Sequence, residues 1–386
     1  MEKPDLVEVV TTGMSARGDA VGRDTLGRHA YVSGALPGER VRAQVLSASE
    51  SRVRSRLVAV LEASPHRTTP PCPEFLRGCG GCQWQYATPD GQLRMKEAIV
   101  VEALARRAVA HPPLRPSIPL APWAFRTTIR AAVVDGRLGF RQARSHDIVG
   151  VTQCEVAHPL LAELIEHGRY DGATEVTLKC GARTGERLAA AQPAHAEIDV
   201  PEDARRSFIH EEAAGHTWRI SSDSFFQSRP DGADALAQAV LDAAHERGTP
   251  TKAVDLYAGV GLFAGVLATN GWGVTAVERA RSSVADARVN LASLGVRVVR
   301  ADVAKFRPPR CDFVVADPSR EGLERTGVAT VMRTHAARVV LVSCDVDAFT
   351  RDAALMQSNG YEMTSVQLVD LFPHTFHVEV VSIFDR

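Results

Sequence analysis

The sequence lacks any apolar run long enough to form a transmembrane helix. Although 45% of its 386 residues are hydrophobic, no stretch approaches the roughly 20 consecutive apolar residues that a bilayer requires. The first residues, MEKPDLVEVV, also lack the basic start, apolar segment and small-residue cleavage site of a secretory signal. We therefore expect a cytoplasmic protein with reduced cysteines and no disulfide bonds.

A net positive charge is also absent, and lysine is scarce. The formal net charge is -1, and 40 of the 45 basic residues are arginine. This balance excludes a strongly basic protein that binds polyanions indiscriminately. Local arginine clusters remain in the stretch 126–144 and at Arg52, Arg54 and Arg56, which alternate on one face of a predicted strand. Each cluster suits a phosphate backbone, although an arginine-rich composition would also scatter such clusters.

The spacing of short apolar segments divides the chain into three predicted regions. Residues 5–61 contain four segments broken by glycine, proline and aspartate at intervals of about ten residues, which is typical of a small β-barrel. A proline-rich stretch at residues 65–73 then marks a boundary. We expect a barrel over residues 1–64, a central α+β region over 65–225 and an α/β domain over 226–386.

Within the central region, the apolar spacing predicts one helix and two hairpins. The helix covers residues 88–108 and starts near Pro89, and a second proline cluster ends it. Asp135-Gly136 and Gly185 are typical turn residues, and each lies between two apolar segments.

The third region changes to apolar strands that alternate with helices. Its runs TKAVDLY, GVTAVE, VRVVRA, CDFVVAD and ARVVLVSC predict buried parallel strands. The segments YEMTSVQLVDLF and FHVEVVSIFD are separated only by residues 373–375 and predict an antiparallel hairpin that closes a doubly wound sheet.

Four of the seven cysteines have the spacing of a metal site. Cys72, Cys79 and Cys82 lie in the turn-rich loop CPEFLRGCGGCQWQ, and Cys154 follows much later. Four thiolates can hold either zinc or an iron–sulfur cluster, and the spacing leaves both open. By contrast, Cys180 and Cys311 lie in apolar strand patterns and are predicted to be core residues.

The end of the first predicted parallel strand carries a glycine-containing loop. Asp255 is followed by Gly259 and Gly261, and such glycines allow a ligand to approach the backbone beyond the strand ends. The pattern also fits the loose fingerprint of dinucleotide-binding proteins, and a tight turn without a ligand would need the same glycines. Glu278 ends the second strand and could accept hydrogen bonds from ribose hydroxyls in either type of nucleotide site.

Further polar residues follow the later strands. Asp317 comes after the fourth strand, and Cys344 comes after the fifth, just before a helix whose positive end would stabilise a thiolate. Cys344 is therefore a candidate nucleophile, although a cysteine in this position often only packs. In the closing hairpin, His377 and Glu379 would face the same side, and burial among valines would raise the pKa of Glu379 towards that of a general base. The alternative is a solvent-facing residue on an edge strand.

Taken in order, these motifs resemble those of the S-adenosylmethionine-dependent RNA uracil-5 methyltransferases, in particular the iron–sulfur branch that acts on 23S ribosomal RNA. The resemblance covers nearly the whole chain: a TRAM-type barrel over residues 1–62, the cysteine quartet, and the motifs DLYAGVGLF, DPSR, SCD and DLFPHTFHVE. It implies an OB-like TRAM barrel, a central domain with a 4Fe-4S loop and a Rossmann-like class I methyltransferase domain.

The resemblance also implies roles for individual residues. The Cys344 thiolate would add to uracil C6, C5 would take the methyl group from S-adenosylmethionine, and Glu379 would remove the C5 proton. The methyl donor would be bound by Gln227, Asp255, Tyr257, Gly259, Gly261, Glu278, Asp302 and Asp317. The resemblance makes Cys72, Cys79, Cys82 and Cys154 ligands of a 4Fe-4S cluster, with zinc as the rival, in a structural or RNA-positioning role.

Three residues depart from the family pattern. Ser319 stands where proline is usual, Asp345 where asparagine follows the catalytic cysteine, and Arg229 where asparagine is usual. We expect the carboxylate of Asp345 to raise the pKa of the Cys344 thiol and to alter base recognition, because a carboxylate accepts hydrogen bonds but does not donate them.

The sequence therefore predicts an enzyme that methylates C5 of a uridine in RNA. Ribosomal RNA is the expected substrate and transfer RNA the alternative. A non-catalytic RNA-binding or ribosome assembly factor is a second hypothesis, and a nicotinamide-dependent iron–sulfur oxidoreductase a third, disfavoured by the SCD and HVE elements. No pattern indicates an obligate protein partner.

Overall fold

The computed structural model of the protein describes residues 5–246 and 248–386. Its first five strands close into a barrel in the order β1-β2-β3-β5-β4. They are β1 (Leu6–Met14), β2 (Ala20–Asp24), β3 (His29–Ser33), β4 (Arg40–Ala48) and β5 (Arg52–Glu62). The sequence pattern did not predict β2, which is short and contains glycine and charged residues. Along β5 the arginines 52, 54 and 56 face outward while the residues between them are buried, as the alternation predicted.

The next elements lie around a second, five-stranded sheet. It has the order β11-β10-β7-β8-β9, and β12 and β13 form a separate pair. The predicted turn between β7 and β8 is formed by Asp135 (φ 52°) and Gly136 (φ 69°). The elements are α1 (Pro73–Leu76), α2 (Pro89–Arg106), β6 (Arg115–Ile118), β7 (Thr128–Val134), β8 (Arg137–Arg141), β9 (Ile148–Gly150), α3 (Ala162–Glu166), β10 (Glu175–Cys180), β11 (Arg187–Gln192), β12 (Phe208–Ala213) and β13 (His216–Ser221).

An eight-stranded sheet with helices on it forms the rest of the chain. Its order is β16-β15-β14-β17-β18-β20-β19-β6, and the five predicted strands β14–β18 pair in parallel. The elements are α4 (Pro230–His245), β14 (Lys252–Leu256), α5 (Leu262–Thr269), β15 (Gly273–Glu278), α6 (Arg281–Asn290), β16 (Arg297–Arg300), β17 (Phe313–Ala316), α7 (Glu324–Thr334), β18 (Arg338–Ser343), α8 (Val346–Ser358), β19 (Glu362–Val369) and β20 (Val380–Asp385).

Two features of this sheet differ from the sequence-based expectation. The antiparallel hairpin of β19 and β20 is confirmed, but its connection runs from residue 370 to 379 and is longer than predicted. In addition, β6 pairs in parallel with β19 at the sheet edge, although its segment RPSI lies in a proline cluster. Proline is tolerated there because an edge strand leaves one row of amides unpaired.

The barrel packs directly on the rest of the protein. One hydrophobic core contains Val41 and Val53 of the barrel, Ile99 of α2, and residues of α8 and of the eight-stranded sheet. The buried Trp84 donates its indole Nε1–H to the carbonyl of Gly18 in a barrel loop, at 3.1 Å. The predicted boundaries after residues 64 and 225 stay predictions, and β6 shows that the central segment also completes the last sheet. Among the described residues, no helix has the length and apolar character needed to cross a bilayer.

Candidate active site

The carboxyl ends of neighbouring parallel strands bring the predicted site residues to one edge of the sheet. Asp255 lies in β14, Glu278 ends β15, and Asp317 and Cys344 follow β17 and β18 directly. Asp302 follows β16, where its side chain accepts a hydrogen bond from the amide of Ala304. Because parallel strands end on the same side, this edge is the crevice in which open α/β sheets bind ligands.

The loop after β14 turns sharply beside Glu278. The amide of Gly259 donates to Glu278 Oε2 at 3.0 Å, and Glu278 Oε1 accepts from the amides of Arg279 and Ala280 at 2.7 Å each. Gly259 and Gly261 have φ values of 55° and 104°, which favour glycine. A Cβ at Gly261 would also lie 2.7 Å from a side-chain atom of Leu291. The backbone conformation therefore favours glycine at both positions, and the contact with Leu291 excludes a larger residue at position 261.

Asp255 is fully buried beneath this loop. Its Oδ2 accepts a hydrogen bond from the amide of Ala264 at 2.9 Å, while its Oδ1 has no partner. Burial, together with the charges of Asp317 and Glu278, raises the pKa of Asp255 well above its usual range. The adjacent Tyr257 has φ 64°, an uncommon conformation for a residue with a side chain. The unpaired Oδ1 of Asp255 thus lies close to a turn with an uncommon backbone conformation at Tyr257. Both features are typical of a ligand-binding position.

The carboxyl groups of Asp317 and Glu379 interact near the centre of the site, where Asp317 is half-buried and Glu379 is buried. Burial raises the pKa of Asp317 to about 7, against the lowering effect of the 3.1 Å hydrogen bond from Gln227 Nε2. Glu379 is only 3% exposed, its Oε1 has no partner, and burial and the charge of Asp317 raise its pKa well above the usual range. The predicted effect of burial on Glu379 is confirmed. A carboxyl group with a raised pKa holds its proton more tightly and is a stronger base once it is ionised.

Cys344 is half-buried beside this carboxyl pair. Burial, and then the negative charges of Glu379 and Asp317, raise the pKa of the Cys344 thiol to about 12, while Arg320 is the cation that lowers it. The pKa of this thiol therefore lies above its usual range, because burial and the nearby carboxylates outweigh the predicted stabilisation of the thiolate by the following helix. A base or a bound cation is needed to activate this thiol.

The three departures from the family pattern have different environments. Asp345 caps α8 by accepting from the amide of Ala348 at 2.9 Å, and its charge adds to the raised pKa of Cys344, as expected. Arg229 is 1% exposed and donates two hydrogen bonds to Asp231, at 2.7 and 2.6 Å. Its third contact, at 2.9 Å, is the carbonyl of Ala121. Arg229 thus anchors the start of α4, whereas Ser319 is exposed and no contact explains it.

The four predicted metal ligands are neighbours in space. All are free thiols; Cys72 and Cys82 are buried, and Cys79 and Cys154 are half-buried. Burial raises the pKa of Cys79, Cys82 and Cys154, and in each case the charge of another member of the quartet adds to the effect. Within residues 5–246 and 248–386, however, no three cysteine, histidine, aspartate or glutamate side chains adopt metal-binding geometry. The four thiols are therefore the donor types of a tetrathiolate site, but their side chains are not arranged around one common point in the described part of the chain. Cys180 and Cys311 are buried in the core, as predicted.

The fold has a counterpart among solved structures. The tRNA (uracil-54, C5)-methyltransferase of Pyrococcus abyssi, solved in complex with S-adenosyl-L-homocysteine, matches with a TM-score of 0.77 and 23% identity. The match covers 98% of this chain and 99% of that chain. The two proteins share a fold from the barrel to the last sheet.

Sequence relatives decide the family. An uncharacterized RNA methyltransferase of Streptomyces avermitilis is 33% identical over an alignment of 413 positions, gaps included, which covers 95% of each chain. The chain belongs to the RNA methyltransferases. A further relative, the 23S rRNA (uracil(1939)-C(5))-methyltransferase RlmD of Alkalilimnicola ehrlichii, is 31% identical over 98% of this chain and 96% of its own. No protein-family model matches the chain. The predicted relationship to RNA uracil-5 methyltransferases is confirmed.

A wide groove leads to the site of this methyltransferase. Its volume is about 1500 Å³, and it runs past the cysteine loop to Arg320, Asp345 and His377 near Cys344. Arginines from four parts of the chain also line it: Arg54 and Arg56 in the barrel, Arg67 in the segment that follows the barrel, Arg141 at the end of β8 and Arg144 after β8. The predicted cluster over residues 126–144 is divided, since Arg130 instead pairs with Glu175 at 2.8 Å.

Sequence reasoning missed a set of polar residues behind the site. Gln92 and Lys96 of α2 are each 1% exposed and contact the segment between β19 and β20. Their spacing of four residues continues the buried face of α2, which Ile99 and Val100 share. A glutamine and a lysine on an otherwise apolar helix face were the available signal.

Proposed function

We propose that the protein transfers a methyl group from S-adenosylmethionine to C5 of a uridine in RNA. The observation that carries the proposal is the placement of the Cys344 thiol beside the carboxyl groups of Glu379 and Asp317, close to Arg320 and Asp345, which line the groove. A nucleophile and a base within one crevice are the two groups that methylation of uracil C5 requires, because C5 is a poor nucleophile on its own.

The proposed reaction begins with addition of sulfur to the base. The Cys344 thiol passes its proton to the carboxylate of Asp317 and its sulfur bonds to C6, which turns C5 into an enolate-like carbon. C5 then takes the methyl group, and the donor leaves as S-adenosylhomocysteine. Glu379 removes the C5 proton, the C5–C6 double bond re-forms, and the C6–S bond breaks to release Cys344. The target base has to leave its stack to reach this site.

The donor would bind along the strand ends. Glu278 retains lone pairs for ribose hydroxyls, and Asp255 retains an unpaired oxygen. A sulfonium cation beside Asp317 would lower the raised carboxyl pKa values and so help Glu379 to act as a base. By the family resemblance, the donor-binding set comprises Gln227, Asp255, Tyr257, Gly259, Gly261, Glu278, Asp302 and Asp317.

RNA would occupy the arginine-lined groove. The outward arginines of β5 and those after β8 can contact phosphates, so binding should weaken as salt rises. The full-length similarity to a 23S rRNA uracil-C5 methyltransferase favours ribosomal RNA over transfer RNA as the substrate. The barrel would then serve as a TRAM-type RNA-binding module.

The cysteine quartet would hold a 4Fe-4S cluster. The proposal is supported by four mutually close free thiols and by a full-length relative of the expected branch. Such a cluster would supply a covalent cross-link between the cysteine loop and Cys154, since methyl transfer exchanges no electrons. Protein purified without oxygen should be brown with visible absorbance, and a colourless, zinc-loaded protein would contradict the iron assignment.

The decisive test combines labelled S-adenosylmethionine with unmodified ribosomal and transfer RNA. We expect methyl transfer by the intact protein, no product from Cys344→Ala, and a methylated protein–RNA adduct that persists with Glu379→Gln. Cys311→Ala is the matched control, because Cys311 is buried at the start of β17 and lies outside the crevice.

Two results would contradict the proposal. Absence of transfer to any RNA by the intact protein would favour a non-catalytic RNA-binding or assembly factor. Full activity of Cys344→Ala would remove this cysteine as the nucleophile. If the intact protein is active, mass spectrometry of RNA from cells that lack the protein would identify the uridine that it methylates.

A further inference from the structure

Helix α2 presents two buried polar side chains to the segment that precedes Glu379. Gln92 and Lys96 are each 1% exposed and lie one turn apart. Burying an amide or an ammonium group is unfavourable unless its hydrogen bonds are satisfied. The contacts of both side chains therefore indicate why the helix carries them.

Gln92 makes a two-sided contact with His374. Its Oε1 accepts from the His374 amide at 2.6 Å, and its Nε2 donates to His374 Nδ1 at 3.1 Å. The same Nε2 lies 3.1 and 2.8 Å from the carbonyl oxygens of Trp84 and Ala87. The two carbonyl oxygens only accept hydrogen bonds, and the backbone N–H of His374 only donates. These partners therefore fix which end of the Gln92 side-chain amide carries Oε1 and which carries Nε2.

The imidazole of His374 is held as a neutral ring. Since Nδ1 accepts from Gln92, Nε2 carries the hydrogen and donates to the carbonyl of Pro122 at 3.0 Å. Burial lowers the pKa of His374 to about 4, and the ring lies 3.9 Å from that of Trp123. The backbone of His374 has φ 65°, which is uncommon for a residue with a side chain. These contacts hold it in that conformation.

His374 also joins the cysteine loop to this segment. Its carbonyl accepts from the amides of Gln83 and Trp84, at 2.7 and 2.8 Å, and these residues directly follow Cys82. One residue therefore receives contacts from both the cysteine loop and α2.

The two ends of the segment are fixed as well. Lys96 donates to Asp370 Oδ1 at 2.6 Å and to the carbonyl of Phe372 at 2.8 Å. At the other end, the amide of Val369 donates to the carbonyl of Glu379 at 2.9 Å. The Glu379 side chain itself has an oxygen without a partner. Its position therefore depends on the backbone of the segment and not on side-chain hydrogen bonds at that oxygen.

We propose that Gln92 is a positioning residue for proton abstraction: by holding His374, it fixes the segment that ends at Glu379. This inference rests on the proposed function, in which Glu379 removes the C5 proton. Displacement of a catalytic group by about 1 Å can cost about 100-fold in rate. Addition of Cys344 and methyl transfer precede proton removal, so a misplaced Glu379 should affect the last step selectively.

The test compares Gln92→Leu with Gln238→Leu in the full chain. Gln238 is an exposed glutamine of α4, so its replacement is a matched control. Incubation with labelled S-adenosylmethionine and RNA gives two measurements, the turnover number and the fraction of protein in a denaturant-resistant, methylated complex with RNA. For Gln92→Leu we expect turnover to fall about 10- to 100-fold while the fraction of complex rises. The control should match the unaltered protein in both.

The outcomes separate the inference from the proposed function. If the unaltered protein transfers no methyl group, the proposed function fails. If it is active, and Gln92→Leu either keeps full turnover or loses turnover and complex together, the positioning role is overturned. Should Gln92→Leu not fold, His374→Asn is tested with the same two measurements and the same criteria. Asparagine tolerates a positive φ and keeps the backbone N–H that donates to Gln92 Oε1, but it lacks the contacts of the imidazole ring.

Discussion

Replacing Asp317 with asparagine should make the protein more stable at high pH while impairing methyl transfer. Burial raises the pKa of this carboxyl from 3.8 to about 7. A group with a raised pKa in the folded state favours folding below its unfolded pKa, and this contribution is lost as the pH rises through about 7. Asparagine keeps the acceptor for Gln227 Nε2 but carries no charge at any pH.

The size of the effect follows from the two pKa values. At about 1.4 kcal/mol for each pH unit between them, ionised Asp317 lowers the free energy of unfolding by about 4 kcal/mol at pH 8. At pH 5 the side chain is protonated in the folded protein, and the same relation gives a cost of about 1.5 kcal/mol. The advantage of Asp317→Asn should therefore grow by about 3 kcal/mol between pH 5 and pH 8.

Thermal unfolding of both proteins at pH 5 and pH 8 measures this difference. We expect the gap between the two melting temperatures to widen by roughly 5 °C at pH 8. Asp231→Asn is a control of opposite sign: burial raises the pKa of Asp231, but the hydrogen bond and charge of Arg229 outweigh it and leave the pKa lowered. That variant leaves a buried guanidinium unpaired and should melt lower at both pH values. An equal gap at pH 5 and pH 8 for Asp317→Asn would refute the assigned ionisation.

Three further predictions concern the site. Gly261→Ala should lower the melting temperature and weaken S-adenosylmethionine binding in calorimetry, because the new Cβ would lie 2.7 Å from Leu291 at φ 104°. The rate of methyl transfer should rise as the pH increases above the usual titration range of a glutamate, since the raised pKa of Glu379 delays its deprotonation, and a flat profile would argue against this base. Arg320→Gln should slow alkylation of Cys344 by iodoacetamide at a fixed pH, because Arg320 lowers the pKa of that thiol; an unchanged rate would exclude this role.

Much of the fold could be predicted because its elements have strong local patterns. The runs that became β14–β18 are mostly apolar, and α2 was predicted to within two residues at each end. The strands β2 and β6 were missed, because AVGRD and RPSI have weak strand propensity and form only through their neighbours in the barrel and at the sheet edge. Tertiary pairing supplied what their composition lacked.

The candidate site was predicted unevenly for a similar reason. Residues that follow strands, such as Asp317 and Cys344, can be located from the strand pattern alone. The protonation of Cys344 could not, because it depends on burial and on Glu379, which is distant in sequence. Gln92 escaped notice since its partner His374 is 282 residues away. Such pairs emerge only when the chain is folded.

The pairing of β6 with β19 has a consequence for synthesis and for fragments of the chain. The side-chain Nε2 of Gln367 donates to the carbonyl of Pro116 across 251 residues, so β19 docks on a strand that is synthesised much earlier. A fragment that starts at residue 226 would lack this neighbour and expose the free edge of β19. Unpaired edges associate with other chains. This fragment should therefore self-associate unless residues 115–118 are supplied, for example as a peptide.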